Sequence, residues 1–381
     1  MADALTSLMR GHWLRSTVTL FLLGCGHTDS FVSPASTLGP SSAGPDVLLT
    51  FTAGQNYWPS WTEDGAGILY AFVDDSQALL NGSHRCMGLL PAEGGTRLWE
   101  WCDNRAVMRD SLTSFPAFAL GADGRLLYVE SAGVRSLALV PSETTLWLAD
   151  SAYPFRRRAV TTLPVIIGDS TISWFADLEW TGPSTFIGLG QRYVPAACIC
   201  PRGLDSVFYG EMVVHGTISS QATSLLPVDG TAGATSYAMA ENGSTIVFTQ
   251  RNTTNLLKVP AVGGAPVIAA VVTSASGVQL LGVSCKGSMC IVAVGPVTLW
   301  AAAAPGPATD PSINLGTAEL RLVSLTTGES LPLLSRTSGL LSSPLISRTS
   351  GDVVVQLGQM MGHLQTFDAP SDLHLYKALL P

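Results

Sequence analysis

Seven cysteines are the most reactive side chains in this sequence of 381 residues, and their spacing favours disulfides. Nearness in sequence pairs Cys86 with Cys102 and Cys285 with Cys290, and the second pair brackets a segment suited to a hairpin turn. Cys198 and Cys200 are separated by one residue, so a bond between them would be strained, and they are either free or paired elsewhere. No Cys-x-x-Cys or paired-histidine spacing supports metal ligation, so we predict no metal site.

The remaining cysteine, Cys25, ends a short apolar segment near the N-terminus. Arg10, His12 and Arg15 form a basic region, and the apolar run that follows is about nine residues long, far short of the roughly 20 that a spanning helix needs. A basic region before a short apolar run is typical of a secretory signal peptide, which we place over residues 1–24, with Met1 or Met9 as the true start.

The end of this segment, Leu22-Leu23-Gly24-Cys25, resembles the lipobox of bacterial lipoproteins. The resemblance implies cleavage before Cys25 and transfer of a diacylglyceryl group to its thiolate, which would hold the chain at a membrane. Gly26, rather than an aspartate, follows the cysteine, which favours the outer membrane, with the protein either periplasmic or surface-exposed. The alternative is an ordinary signal peptide that contains a cysteine. Residues 25–45, rich in Ser, Pro, Gly and Thr, are predicted to be a flexible tether.

Sequence motifs of common enzyme classes are absent. The chain has no Gly-x-Ser-x-Gly elbow, no His-Glu-x-x-His, no P-loop and no dinucleotide-binding glycine motif. The few histidines after Cys25 are widely separated, and the sequence does not show whether they converge. We therefore predict no catalytic residue and no cofactor, although the sequence leaves catalysis open.

A repeated pattern of strand, tight turn and strand predicts the architecture. Each unit places a large apolar residue on a strand, follows it with a turn containing glycine, and returns on a β-branched or aromatic strand. The turn glycines are Gly65, Gly124, Gly182, Gly243, Gly287 and Gly351. A second hairpin signal between several units gives four strands per unit, as in a propeller blade.

The spacing of these glycines predicts the number of blades. From Gly65 to Gly351 there are 286 residues in five intervals, about 57 each, and the two chain ends together supply roughly one more interval. We predict an all-β fold over residues 46–381, a β-propeller of six four-stranded blades. Residues 46–51 and 373–379 would lie together in the closing blade, so that the ring is closed by N- and C-terminal strands. Seven blades are the alternative, with a degenerate blade in 130–175 or 190–235.

The first unit also resembles the TolB-type propeller repeat, whose consensus is close to Pro-x-Trp-Ser-Pro-Asp-Gly-x-x-Ile-x-Phe. The matching segment is Pro59-Ser60-Trp61-Thr62-Glu63-Asp64-Gly65-Ala66-Gly67-Ile68-Leu69-Tyr70. The resemblance implies a six-bladed propeller that acts as a binding platform in the bacterial envelope. It does not extend to the Tol–Pal system, because this chain lacks the N-terminal α/β domain of TolB and carries a lipobox that TolB lacks.

Loops that enter the innermost strands of a propeller surround its central channel, and they supply the candidate binding residues. By analogy with that topology, these are Tyr57, Trp58, Asp177 and Tyr237. Their aromatic and hydroxyl groups suit a peptide or a glycan better than a phosphate. Asp64 and Asp123 are interpreted as turn residues instead. Arg156, Arg157 and Arg158, the densest charge cluster, are predicted to lie in a solvated loop.

Composition limits the partners. Only 13% of the residues are charged and the net charge is −8, which excludes a nucleic-acid-binding protein and a disordered chain. We predict a monomer whose propeller binds a protein or peptide partner, with the membrane engaged through Cys25. The alternative is an enzyme or sensor that acts on a glycan or small metabolite in the central channel.

Overall fold

Antiparallel strands joined by short turns make up almost all of the described chain. The computed structural model describes residues 46–50, 55–73, 85–102, 111–114, 117–134, 141–150, 156–195, 206–220, 222–296, 318–336, 344–358, 371–377 and 380. Their only helical element is a single 3-10 turn, Glu241–Gly243. No helix among these residues is long and apolar enough to cross a membrane.

Six four-stranded blades follow one another around the ring. After the short strand β1 (Asp46–Leu48), blade 1 consists of β2 (Gln55–Trp61), β3 (Gly67–Val73), β4 (Arg85–Pro91) and β5 (Trp99–Cys102). In blade 2 the inner strand is split into β6 (Ser111–Ser114) and β7 (Phe118–Leu120), followed by β8 (Leu126–Val134), β9 (Pro141–Ala149) and β10 (Arg157–Leu163).

A small hairpin, β11 (Val165–Ile167) and β12 (Ser170–Ile172), separates blade 2 from the next blades. Blade 3 comprises β13 (Trp174–Gly182), β14 (Thr185–Pro195), β15 (Ser206–Ile218) and β16 (Thr223–Pro227), and blade 4 comprises β17 (Ala234–Ala240), β18 (Thr245–Gln250), β19 (Asn255–Pro260) and β20 (Val267–Val271). Blade 5 comprises β21 (Val278–Lys286), β22 (Met289–Pro296), β23 (Ala318–Ser324) and β24 (Ser330–Arg336). The two stretches that left room for a seventh blade therefore hold strands of blades 2 and 3 and this hairpin.

The two ends of the chain share the sixth blade, which confirms the predicted closure. Its strands are β25 (Leu345–Ile346), β26 (Val353–Gly358), β27 (Ser371–Tyr376) and the N-terminal β1. β1 pairs antiparallel with β27, and just beyond it Leu49 donates its N–H to the carbonyl of Leu373 at 2.8 Å. Closure of this kind joins the last blade to the first, so the edges that remain are the outer strands of the individual blades.

Large side chains of the inner strands join neighbouring blades. The indole Nε1 of Trp61 donates to the carbonyl of Leu345 in blade 6 at 3.0 Å. Trp180 of blade 3 makes the same kind of bond to Ala119 of blade 2, at 3.1 Å. Phe118 packs in an apolar cluster that draws residues from both blade 1 and blade 2. The repeated aromatic residues therefore hold adjacent blades together, because burial removes their apolar rings from water while each indole N–H keeps a partner.

The acidic residues of the repeated turns have a structural role. Asp64 accepts hydrogen bonds from the Thr62 hydroxyl at 2.6 Å and from the N–H of Ala66 at 3.0 Å, and these bonds lower the pKa of its carboxyl. Gly65 follows with a φ of 69°, a conformation that an L-residue with a side chain rarely adopts. Asp-Gly is therefore what this tight turn requires.

Both predicted disulfides are present. Cys86–Cys102 joins paired positions of β4 and β5, with a Cα–Cα distance of 4.1 Å. Cys285–Cys290 joins β21 to β22 across their hairpin, at 4.0 Å. Directly opposed residues in an antiparallel pair lie within the range that a disulfide spans. The predictions for Cys198 and Cys200 lie outside the described residues, as does Cys25.

The expectation that Arg156, Arg157 and Arg158 form a solvated loop is wrong for Arg158, which is exposed but lies on strand β10, and for Arg157, which begins that strand. Its guanidinium forms an ion pair with the buried Glu130 and lies 4.1 Å from the centre of the Trp147 ring. A carboxylate partner and an aromatic face together offset the cost of removing the charge from water, so this arginine is part of the packing.

Candidate functional site

The inner strands of all six blades surround a small cavity in the central channel, the channel pocket, with a volume of about 100 Å³. Its wall contains residues 60–63, 119–120, 177–180, 237–239, 283–285, 345–346 and 348. This is room for a few water molecules or for one end of a ligand, not for a whole oligosaccharide.

Two carboxylates of blade 3 enter this pocket from one strand. Asp177 and Glu179 are two residues apart on β13, and alternate residues of a strand point to the same face. Between them, Leu178 is buried in the core cluster between blades 2 and 3. The alternation therefore anchors the strand on one side and presents two acids to the channel on the other.

The acidity of Asp177 is strongly perturbed. Burial and, to a smaller extent, the nearby charge of Glu179 raise the pKa of its carboxyl from 3.8 to about 7, although the N–H of Leu178 opposes the change. Two neighbouring acids that are largely removed from water resist ionising together. Asp177 consequently gains and loses its proton near neutral pH.

Glu179 has a cationic partner. Arg348, from the turn after β25, forms an ion pair with its carboxylate across the channel. Burial raises the pKa of Glu179, the Arg348 guanidinium opposes that rise, and the charge of Glu63 adds to it. Glu63 itself lies on the pocket wall and accepts a hydrogen bond from the N–H of Ala122 at 2.9 Å. Three carboxylates therefore share the pocket with one guanidinium.

Tyr237 forms the wall next to these acids. Its hydroxyl donates to the carbonyl of Ile187 in blade 3 at 3.1 Å. Burial raises the pKa of Tyr237 well above 10, and Asp177 and Glu179 add to that effect, so the phenol stays neutral. Its role in the described structure is to fix blade 4 against blade 3 at the level of the acids.

A second recess of about 110 Å³ adjoins the channel pocket and shares Ser60, Asp177 and Leu345 with it. Trp58 forms part of its wall. The φ of Trp58 is 50°, in the left-handed region that a bulky residue seldom occupies. Backbone strain of this kind persists only where the surrounding structure imposes it, and it concentrates at binding sites.

The structure brings together only part of the predicted binding set. Asp177 and Tyr237 lie in the channel pocket and Trp58 in the adjoining recess, whereas the side chain of Tyr57 lies outside the described residues. The sequence reasoning missed Glu179 and Arg348. Of these, Glu179 carried a usable signal, because a second acid two residues after Asp177 on an inner strand must share its face.

Among the described residues, neither histidines nor clusters of metal-ligating side chains contribute to the candidate site. His215 uses its Nε2 in a 2.9 Å hydrogen bond with the carbonyl of Ala261, and His374 lies on β27. Within the described part of the chain, no group of three or more His, Cys, Asp or Glu side chains is placed to hold a metal ion.

Comparisons with known proteins identify the fold. No family model matches the chain, and no curated protein matches it. A protein of unknown function from Dyadobacter fermentans is similar in structure, with 10% identity and a TM-score of 0.53 over 88% of this chain and 98% of that one. A gluconolactonase from Xanthomonas campestris (11% identity, TM-score 0.49, 91% and 98% covered) and the WD40 repeats of RRP9 (10%, 0.45, 88% and 99%) are also similar. At these identities the likeness concerns the fold alone, and the chain is a six-bladed β-propeller.

Proposed function

We propose that this propeller is a binding platform of the bacterial envelope, and that its channel pocket receives one positively charged group of a protein or peptide partner. The observation that carries the proposal is the imbalance of charge in the pocket. Asp177, Glu179 and Glu63 face a single guanidinium, that of Arg348.

An ammonium group is the ligand that this arrangement favours. Glu179 is neutralised by Arg348, which leaves two carboxylates of the described pocket without a cationic partner, the exposed Glu63 and the more deeply placed Asp177. Binding of a cation next to Asp177 would stabilise its ionised form and offset the burial that now opposes ionisation. A charge-assisted hydrogen bond in such a recess contributes more than one in open water.

The dimensions favour one inserted side chain over an enclosed small molecule. The channel pocket holds only the end of a lysine side chain or an N-terminal amine, while the adjoining recess beside Trp58 offers an aromatic surface to neighbouring residues of a peptide. An anchor residue in a desolvated pocket with aromatic contacts around it is the usual organisation of a peptide-binding site.

Selection from a library of random displayed peptides tests this proposal. Peptides retained by the wild-type propeller should carry a lysine or depend on a free N-terminal amine, and the double variant Asp177→Asn/Glu179→Gln should lose them. Asp169→Asn is the matched control, because Asp169 is an exposed carboxylate of the β11–β12 turn. Retained peptides without a basic group, or equal retention by the double variant, would refute the proposal.

The envelope location is the second part of the proposal, and the lipobox-like sequence ending at Cys25 supports it. Expression of the full chain in a bacterium, followed by membrane fractionation and chemical cross-linking, tests it against Cys25→Ala. We expect the wild type in the outer membrane with a dominant cross-linked protein, and the variant released from the membrane. Equal membrane retention of the two chains would contradict lipid anchoring.

A second candidate function, catalysis on a small metabolite or a glycan end, is favoured by one observation. A carboxyl group with a pKa of about 7 can act as a proton donor and acceptor at neutral pH. A screen with lactone, ester and glycoside substrates tests it. Turnover that is lost in Asp177→Asn and retained in Asp169→Asn would establish an enzyme in place of a platform.

A further inference from the structure

A second cavity, separate from the channel, lies beside the strands that close the ring. It has a volume of about 440 Å³ and is formed by the residues that follow β1, by strands β3 and β4, by the segment after β4 and by the outer strand β5. We propose that this cavity, termed the closure cavity, is a binding site for a neutral sugar unit. Leu49, Tyr70, Leu90, Arg97, Trp99 and Glu100 form the parts of its wall that carry the argument.

The inner part of the closure cavity is apolar and rigid. Leu49 and Tyr70 are each 1% exposed, and Leu90 is also buried. Leu49 and Tyr70 belong to a core cluster that also includes Leu373 and Leu375 of the closing strand β27. These side chains close the cavity at its base, and Trp99 at the edge offers an aromatic face to the C–H groups of a ligand ring.

The rim carries an ion pair of fixed geometry. The Arg97 guanidinium lies 3.9 Å from the centre of the Phe72 ring and pairs with the carboxylate of Glu100. Its stem packs over Gly88, where an added Cβ would lie 3.2 Å from the Arg97 Cδ. The aromatic contact and the ion pair together hold the guanidinium in place before any ligand arrives.

This pair keeps hydrogen-bonding capacity for a ligand. A guanidinium has five N–H donors and a carboxylate about four acceptor positions, so the contacts of Arg97 with Glu100 and with the Tyr70 hydroxyl leave donors and acceptors over. The Glu100 side chain is 56% exposed, so its carboxylate is open to a ligand. Donors and acceptors therefore lie side by side, as neighbouring hydroxyl groups on a sugar ring require.

Charge balance selects a neutral ligand. An anion at the rim would approach Glu100 as well as Arg97, and a cation would approach Arg97 as well as Glu100, so neither gains a net attraction. A hydroxyl group can donate to the carboxylate and accept from the guanidinium at the same time. Together with the apolar inner wall, this balance points to a neutral ring that bears hydroxyl groups.

Binding at this cavity would be coupled to ring closure. Leu49 and Thr50 line the cavity, and Leu49 donates its N–H to Leu373 while the Thr50 hydroxyl accepts from the N–H of Leu373 at 3.0 Å. A ligand that contacts this segment only when the ring is closed stabilises the closed state. Sugar binding should therefore raise the melting temperature.

A glycan array probed with the labelled wild-type propeller, followed by calorimetry on the neutral oligosaccharides it retains, tests the proposal. Glu100→Gln keeps the shape of the side chain and should weaken binding by about tenfold, the loss typical of one charge-assisted hydrogen bond. Glu93→Gln is the matched control, an exposed carboxylate in the preceding turn. A thermal shift with the same oligosaccharide gives a second measurement that does not depend on the label.

Retention of neutral glycans, with the loss confined to Glu100→Gln, is the expected result. An array on which only acidic or basic glycans are retained, or none, would overturn the proposal. Equal affinity of Glu100→Gln and wild type would overturn it too. If the Asp177→Asn variant lost the sugar while Glu100→Gln kept it, the ligand would belong to the channel pocket and not to the closure cavity.

Discussion

The buried acid Asp177 should make the propeller less stable as the pH rises towards neutrality, and Asp177→Asn should remove that dependence. The pKa of Asp177 is raised from 3.8 to about 7 in the folded protein. Between these values the unfolded chain has already released this proton while the folded chain still holds it. The folded state thus binds more protons, so this residue's contribution to stability is fully present below about pH 4 and is lost as the pH passes 7.

The size of the effect follows from the difference between the two pKa values. Each unit of difference in pKa corresponds to about 1.36 kcal/mol. The rise of about three units in the pKa of Asp177 therefore corresponds to about 4 kcal/mol of folding stability that is lost above pH 7. Because Asp177 is partly exposed to solvent, which screens part of this cost, we treat about 4 kcal/mol as an upper value. A loss of even half this size is a large part of the total stability of an ordinary domain.

Urea unfolding from about pH 4 to pH 8, with both disulfides intact, measures this dependence. The stability difference between Asp177→Asn and wild type should grow as the pH rises, in favour of the variant. Asp169→Asn, which removes an exposed carboxylate, should follow the wild type. A difference that stays constant across this range, or that shrinks as the pH rises, would show that Asp177 is not a buried acid of raised pKa.

Three further variants test the packing by chemical unfolding. Replacing Cys86 and Cys102 with alanine opens a loop with a sequence separation of 16 and should cost about 3 kcal/mol, whereas a cost near zero would contradict a closed disulfide. Gly216→Ala places a Cβ against the buried ring of Phe186 and should destabilise by about 1–3 kcal/mol, so unchanged stability would show that the ring has room to move. Trp180→Phe removes the hydrogen bond to blade 2 and should cost about 1–3 kcal/mol, and a smaller loss would mean that blade packing does not need this bond.

Much of the fold follows from local signals in the sequence. Gly65 and Gly124 mark hairpins because their positive φ values suit few other residues, and the spacing between such turns predicts six blades. Opposed strand positions also bring Cys86 to Cys102. The prediction of a solvated loop was wrong for Arg157 because its partner Glu130 lies on another strand. The residues next to Arg157 in sequence do not show such a distant partner, so its charge was assigned to the surface.

The candidate site was less predictable for the same reason. Asp177 was found by assigning it to a loop that enters an inner strand, whereas it lies on the inner strand β13 itself, and its raised pKa depends on burial that only the assembled ring provides. Arg348 lies 169 residues after Glu179, and only circular closure brings blade 6 to blade 3 across the channel. The closure cavity likewise combines Leu49 with Trp99 from different strands, which no local pattern indicates.

Proton release on peptide binding tests the channel-pocket account most directly. Calorimetry of a selected lysine peptide, in buffers that differ in ionisation enthalpy, measures the protons exchanged. Because an ammonium group favours the ionised form of Asp177, we predict proton release near pH 7 and an affinity that increases from about pH 6 to pH 8. The same affinity at both pH values, with no proton released, would contradict an ammonium group bound beside Asp177.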